Sequence, residues 1–336
     1  MAIRRFYTKQ DSSIYSNQYL LNAGIDEILD ISIYKTLAGS SEVARSLISF
    51  DKDVIDNFIN NISTDYSVGI KLYLAGINEL KNNIFVDCYP ISMDWVEGTG
   101  RTSNNPQTTN GVSWKYDGYG NIFTGSQSIY DSEIGGGDWY NISSSYSMAN
   151  VDKDLYFDVT NLYPSSSNGF ILKQRDEFNG SYCELKYYSK DSHTIFQPFL
   201  EVKWDDSTYS SSLNYVDINK AYVSVDLHHE YDIESKHNIR INSRDLYPTR
   251  VFQTSSIYNN KKILPVTSYF SVIDYTTGQV VLDYDYDYTK ISNDNDGNFF
   301  NFSFDTLYPN RYYIFKIKSI DNGNECIFKS NIFKTI

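Results

Sequence analysis

Six aromatic residues, Trp95, Trp114, Tyr116, Tyr119, Trp139 and Tyr140, are the first candidates for functional chemistry in this chain. They lie in or beside a Ser/Thr/Asn/Gly-rich stretch, residues 98–147, too polar and too broken by glycine to read as strand or helix. Tyrosine and tryptophan combine a large apolar face with one polar tip, so such groups anchor protein interfaces and stack on sugar rings. Their alternative role is to pack the loop against its own sheet. A loop this long inside a compact domain is functional or is packed on a neighbour.

Carboxylates stand next to these rings. Asp94 and Glu97 bracket Trp95 in the run Asp94-Trp95-Val96-Glu97-Gly98-Thr99. Glycoside hydrolysis needs two carboxyls at a fixed separation across a cleft, which sequence spacing does not establish. No GxSxG element and no locally supported Cys–His or Ser–His arrangement accompanies them, so no catalytic residue is expected.

Four motifs bear on metals or phosphate. Asp283, Asp285 and Asp287 alternate with Tyr284, Tyr286 and Tyr288. A carboxylate row suits calcium, but acids along a strand edge also discourage unwanted pairing, and the edge is the reading adopted. In the run from Ser292 to Gly297, placing the glycine sixth in a calcium loop puts Ser303 twelfth, where a bidentate glutamate is required; a turn is expected instead. His228 and His229 are adjacent, so on a strand they point to opposite faces, and with Glu230 and His237 they make no HExxH motif. These histidines are expected at a surface or interface. Gly135-Gly136-Gly137-Asp138 lacks the Lys-Ser/Thr of a phosphate loop and reads as a flexible connection. The expectation is therefore no metal and no cofactor.

The elements that position these groups are strands. The chain has 336 residues, 31 of them tyrosine, with 41% hydrophobic and 21% charged residues, and few stretches carry the Ala/Leu/Glu/Lys mix of good helices. Alternating or apolar runs at 28–34, 45–51, 67–75, 83–89, 153–159, 169–174, 182–188 and 199–204 predict a first set of strands. Residues 53–62 have apolar positions at a helical period. The Ser-rich segment 206–215 reads as a linker between a domain at 1–205 and a second at 216–336. The second half shows about seven short strands separated by turn signals at Thr277-Gly278, Asn295-Asp296-Gly297 and Asn322-Gly323, the pattern of an immunoglobulin-like sandwich. The fold class expected is all-β, a jelly-roll sandwich followed by an Ig-like sandwich.

Charge and cysteine content narrow the partners. A formal net charge of −13 repels phosphate backbones, and Arg4-Arg5 reads as a solvated end, so nucleic acid is not an expected partner. The three cysteines form no CxxC pair and suggest neither a disulfide framework nor a zinc site. No run is long and apolar enough for a membrane helix, and residues 1–13 lack the apolar core of a signal peptide.

Two resemblances follow from the order of these pieces. The strands at 28–32, 45–51 and 71–75, then Asp94–Thr99, then 155–162, 168–173 and 198–204, resemble the jelly-roll modules grouped as DNRLRE or family-96 carbohydrate-binding domains. Residues 263–292 and 296–317, with the Tyr308-Pro309-Asn310-Arg311-Tyr312-Tyr313 corner, look like the Ig-like domains that end many tailed-bacteriophage structural proteins. The resemblance implies a non-enzymatic virion component of the neck, tail or baseplate, made in the host cytoplasm without a signal peptide. Its partners would be other virion proteins and identical copies. The alternative it implies is a glycan-binding module that attaches a particle or enzyme to a host surface.

Overall fold

The alternation in the sequence becomes antiparallel sheet almost everywhere. The computed structural model describes residues 3–35, 41–62, 64–78, 84–124, 135–148, 154–175, 177, 182–248 and 261–336. Among them the fold is all-β, with one α-helix and a few single 3-10 turns. The chain divides into two compact units: residues 6–61 with 67–201, and residues 1–5 with 62–66 and 202–336.

In the first unit a six-stranded sheet runs in the order Gln10–Tyr15, Ser41–Ser49, Phe170–Gln174, Ile84–Pro90 and Ser144–Met148, with Ser32–Lys35 also paired to Ser41–Ser49. A three-stranded sheet orders Ile28–Asp30, Glu184–Tyr188 and Leu74–Asn78. A further sheet orders Ile3–Tyr7, Phe199–Trp204, Tyr66–Leu72 and Leu155–Asp158, of which residues 6–7, 199–201, 67–72 and 155–158 belong to the first unit. Leu47 is held between Ser12 and Ile171 by antiparallel pairing on both sides. Ile14, Val43, Leu47 and Ile171 form one core cluster with Ile91, Trp95, Val112, Trp114 and Phe123. The polar stretch thus drives three apolar side chains, Val112, Trp114 and Phe123, into this core, each contributing about 1.5–3 kcal/mol.

The helix is Lys52–Ile59, shorter than the predicted 53–62. The Asp51 carboxylate caps it by accepting from the Val54 amide, and Ile55 is its buried residue. The turn at Asn60-Asn61 ends it early; both residues compete locally for backbone hydrogen bonds.

The second unit is a two-sheet sandwich. One sheet orders Ala221–Asp226, Lys236–Asp245, Gly297–Ser303 and Ser292–Asp294. The other orders Glu230–Tyr231, Phe333–Thr335, Tyr312–Asp321, Ser268–Asp274 and Val280–Leu282, with Asn324–Lys329 also paired to Tyr312–Asp321. Between them lies an aromatic core in which Phe270 stacks on Phe300 at 4.2 Å and Phe315 on Phe333 at 4.8 Å. Offset stacked pairs add to the area they bury. The Tyr313 hydroxyl donates to the Tyr308 carbonyl at 3.2 Å and accepts from the Tyr308 amide at 3.1 Å. This closes the corner ahead of the longest strand of the sheet.

Three expectations are corrected here. The first five residues group with the second unit, where Ile3 enters its core, Arg4 pairs with Asp305 at 2.6 Å and Arg5 donates to the Val281 carbonyl at 2.6 Å. Arg4-Arg5 is a tethered strand, because an opposite charge and a free carbonyl await it. Residues 206–215 are also not a free linker: the Ser210 amide and Ser211 amide bond to Asn293, and Ser212 bonds to Asn295. Finally, 283–288 is a turn rather than a strand edge. The Asp285 carboxylate accepts from the amides of Asp287 and Tyr288, and the Asp285 amide donates to Thr289 Oγ1, which outcompetes sheet pairing.

Candidate functional site

The aromatic stretch is organised by one buried asparagine. Asn22 is fully buried; its amide nitrogen donates to the carbonyls of Glu97 at 2.6 Å and Val112 at 2.9 Å. Its side-chain oxygen accepts from the Gly100 amide at 2.7 Å. Residues 97–112 thereby close around a single side chain. Gly98 has a φ of +78°, and a Cβ there would stand 2.4 Å from the Asn22 oxygen, so only glycine fits.

Beyond this clasp, residues 113–123 form a short hairpin. The Ser113 amide bonds to the Tyr116 carbonyl, Tyr116 bridges Ile122, and the Phe123 amide bonds to the Lys115 carbonyl. Buried Asp117 fixes its tip by accepting from the amides of Tyr119 and Asn121. The inner side chains Trp114 and Phe123 enter the core, and the outer ones face water. Tyr119 is 63% exposed, Ile122 is exposed, and Tyr19 and Leu20 emerge alongside, where the Lys115 amide bonds to the Tyr19 carbonyl. The Lys115 ammonium lies 5.5 Å from the Tyr19 ring and 5.7 Å from the Tyr116 ring. The negative charge of Asp94, whose carboxylate also accepts from the Tyr119 hydroxyl, raises the Tyr119 phenol pKa.

The six candidates therefore divide. Trp95 and Trp114 are buried packing residues; the Trp95 indole donates to the Asn168 carbonyl at 2.9 Å. They are corrected from contact residues to core, because the clasp folds their apolar faces inward. Trp139 is half-buried against Tyr89 at 5.7 Å. Tyr116 is half-buried, and Tyr119 and Tyr140 are exposed. Gly125 and the rest of 125–134 lie outside the described residues.

Trp114 and Trp139 flank a buried charge cluster. The Arg45 guanidinium lies 4.7 Å from the Trp114 ring and 5.3 Å from the Trp139 ring. It forms a two-pronged pair with Glu177 at 2.9 and 2.7 Å and donates to the Gly136 carbonyl at 2.6 Å. Lys173 adds a third charge, 3.0 Å from Glu177. Burial pushes the Glu177 carboxyl up, yet the two cations outweigh it and hold it below the usual range; burial, with Arg45 beside it, lowers Lys173. The triple glycine is not a loose connection. A Cβ on Gly136 would stand 2.5 Å from the guanidinium, so its absence lets the backbone reach Arg45.

Asp94 and Glu97 do not face each other across a cleft. The Asp94 carboxylate bonds to the adjacent Trp95 amide, whereas Glu97 accepts from the Asp11 amide at 2.9 Å. Asp11, Glu97 and Asp191 bring carboxylate oxygens within 4.8 Å of one another, the only such group among the described residues. These are hard-cation donors, but the Lys190 ammonium already contacts Glu97 and Asp191, each at 3.1 Å. Asp11 accepts from the Ser189 hydroxyl and the Lys190 amide, while burial pushes its pKa up to about 7. Burial also raises Glu97. His228 and His237 pack around Tyr231, with His237 5.0 Å from that ring.

Sequence reasoning missed Asn22, Arg45, Glu177 and Asp11. An arginine inside the apolar strand Ser41–Ser49 was the one available signal; the others depend on contacts 75 to 179 residues away.

No family model matches the chain, and no curated protein matches it. Among solved structures, it is similar to a DUF4785 family protein from Legionella pneumophila, at 11% identity and a TM-score of 0.21, over 99% of this chain and 62% of that one. A Parabacteroides merdae beta-glucuronidase follows at 9% identity and a TM-score of 0.15, over 96% of this chain and 36% of that one. At these scores neither neighbour carries a statement about fold or activity, and the site geometry stands on its own residues.

Proposed function

We propose that this chain is a non-enzymatic structural component of a virion that works by protein–protein contact. The carrying observation is the division of labour in residues 92–124: Asn22 and Asp117 hold the clasp through internal hydrogen bonds, while Tyr19, Tyr119 and Ile122 are left facing water. Rigid aromatic groups lose little entropy on binding, which suits them as anchors. The titratable groups around them support the same reading, because Arg45, Glu177 and Lys173 compensate one another, as do Glu97, Lys190 and Asp191. The tailed-phage setting comes from module order and composition.

The test is mass spectrometry of purified particles together with Tyr19→Ala/Tyr119→Ala. Fixed stoichiometry in particles, lost in the double variant while its melting curve is unchanged, is the expected result. Absence from particles overturns the reading. A second reading is favoured by Asp94 beside the exposed Tyr119: a ring to stack on a sugar face and a carboxylate to accept its hydroxyls. Glycan-array binding that Tyr119→Ala abolishes would select it.

A further inference from the structure

The second unit carries a sheet face that its own fold leaves unexplained. In the strand Tyr312–Asp321, residues Tyr313, Phe315 and Ile317 point into the core, so Tyr312, Ile314 and Lys316 lie on the outer face, where Lys318 is buried beneath the rings of Tyr284 and Tyr286. Neighbouring strands extend this outer face: Lys318 pairs with Tyr269 on one side and Ile327 on the other, and Lys316 pairs with Lys329. Lys334 pairs with Tyr312. Around these lysines Tyr275, Tyr312, Val280 and Ile327 are all exposed, and Tyr286 is 58% exposed where its ring meets Tyr269.

Two features of this face point to an anionic partner. Lys316 and Lys329 are directly opposite one another on paired strands, an arrangement of like charges that destabilises a sheet. Lys316 and Lys329 form no ion pair among the described residues, Lys334 stands opposite Glu230 on the neighbouring strand, and Glu325 is the one acid on the outer side of Asn324–Lys329. The charge distribution along the chain then identifies a complement. The first unit, residues 6–61 with 67–201, holds 24 Asp and Glu against 13 Lys and Arg, whereas the second holds 18 against 16. The acidity of this protein resides in its first unit.

We propose that the outer face of this sheet docks a second copy of the chain through that copy's acidic first unit. The interface joins two different surfaces, so it runs head to tail and generates a ring or an open array. Lysines at the rim steer the encounter, and Tyr275, Tyr286, Tyr312 and Ile327 supply the desolvated anchors. This rests on the structural reading above and names the surface through which copies meet.

The experiment is sedimentation of the full chain over a concentration series at low and high salt, with K316E/K329E and, separately, Ile327→Asp. Lys329 and Ile327 are exposed and Lys316 is half-buried, and a melting curve checks that each variant folds. Self-association that weakens with salt, and whose dissociation constant rises about ten- to a hundredfold in either variant, is expected. A head-to-tail contact also predicts that excess K316E/K329E caps wild-type assemblies, since its first unit still docks on a wild-type face. A chain that stays monomeric, or self-association unchanged in both folded variants, overturns the proposal. So does a monomer that binds heparin through these lysines. If the chain occurs in particles but does not self-associate this way, the inference falls and the structural reading stands; self-association with absence from particles gives the reverse.

Discussion

Asp11→Asn probes how the first unit accommodates a buried charge. Asp11 is 1% exposed, and burial, with Glu97 adding repulsion, raises its pKa to about 7 against the Lys190 amide and the Ser189 hydroxyl. In the unfolded chain an aspartate titrates near about 3.9. Between roughly pH 4 and pH 7 the folded state therefore binds more protons than the unfolded one, so stability falls as pH rises through that window. Above it the full penalty applies, about 4 kcal/mol at 1.36 kcal/mol per pH unit. Asparagine keeps the shape: its oxygen accepts the Lys190 amide, and its nitrogen donates to Ser189 Oγ, whose hydroxyl can turn round. Urea denaturation followed by tryptophan fluorescence is the assay, since Trp95, Trp114 and Trp139 all belong to the first unit. The stability advantage of Asp11→Asn over wild type should widen by about 2.5 kcal/mol from about pH 5 to about pH 8. Glu177, Asp205, Asp274 and Asp294 have lowered pKa values and act at lower pH, outside this interval. An equal difference at the two pH values would refute the assigned burial.

Three further outcomes follow from the same contacts. Asn22→Ala removes three buried hydrogen bonds and should cost about 3 kcal/mol, read as an earlier urea midpoint and as new proteolytic cleavage within 97–112. Glu177→Gln leaves Arg45 and Lys173 buried without their anion and should cost about 3–5 kcal/mol, whereas replacing all three by apolar residues of similar volume should cost far less. In the wild type, the Glu177 contribution is present above the ordinary glutamate pKa and is lost as pH falls through its lowered folded value, so acid should narrow the gap to Glu177→Gln. Tyr313→Phe removes the corner hydrogen bonds and leaves the Tyr308 amide and carbonyl without that partner; a loss of about 1–3 kcal/mol should appear in hydrogen exchange of Tyr312–Asp321.

What the sequence determined by itself was local. Apolar or alternating runs placed the strands Phe170–Gln174 and Ile84–Pro90 within a residue or two, because such side chains suit a pleated, buried surface whatever lies beyond them. Asn322-Gly323 marked a hairpin because both residues tolerate positive φ, and they adopt +47° and +80° between the paired strands Tyr312–Asp321 and Asn324–Lys329. The tertiary structure decided where polar and aromatic groups ended up. Trp95 and Tyr119 are the same kind of residue in the same polar stretch, yet one is buried and the other faces solvent, because Asn22 and Asp117 fold the chain between them. Glu97 read as a partner for Asp94 but bonds to Asp11, 86 residues away. Lys316 and Lys329 are separated in sequence and face one another only through strand pairing. Burial and proximity set the energy of a charge, and both are properties of the folded chain.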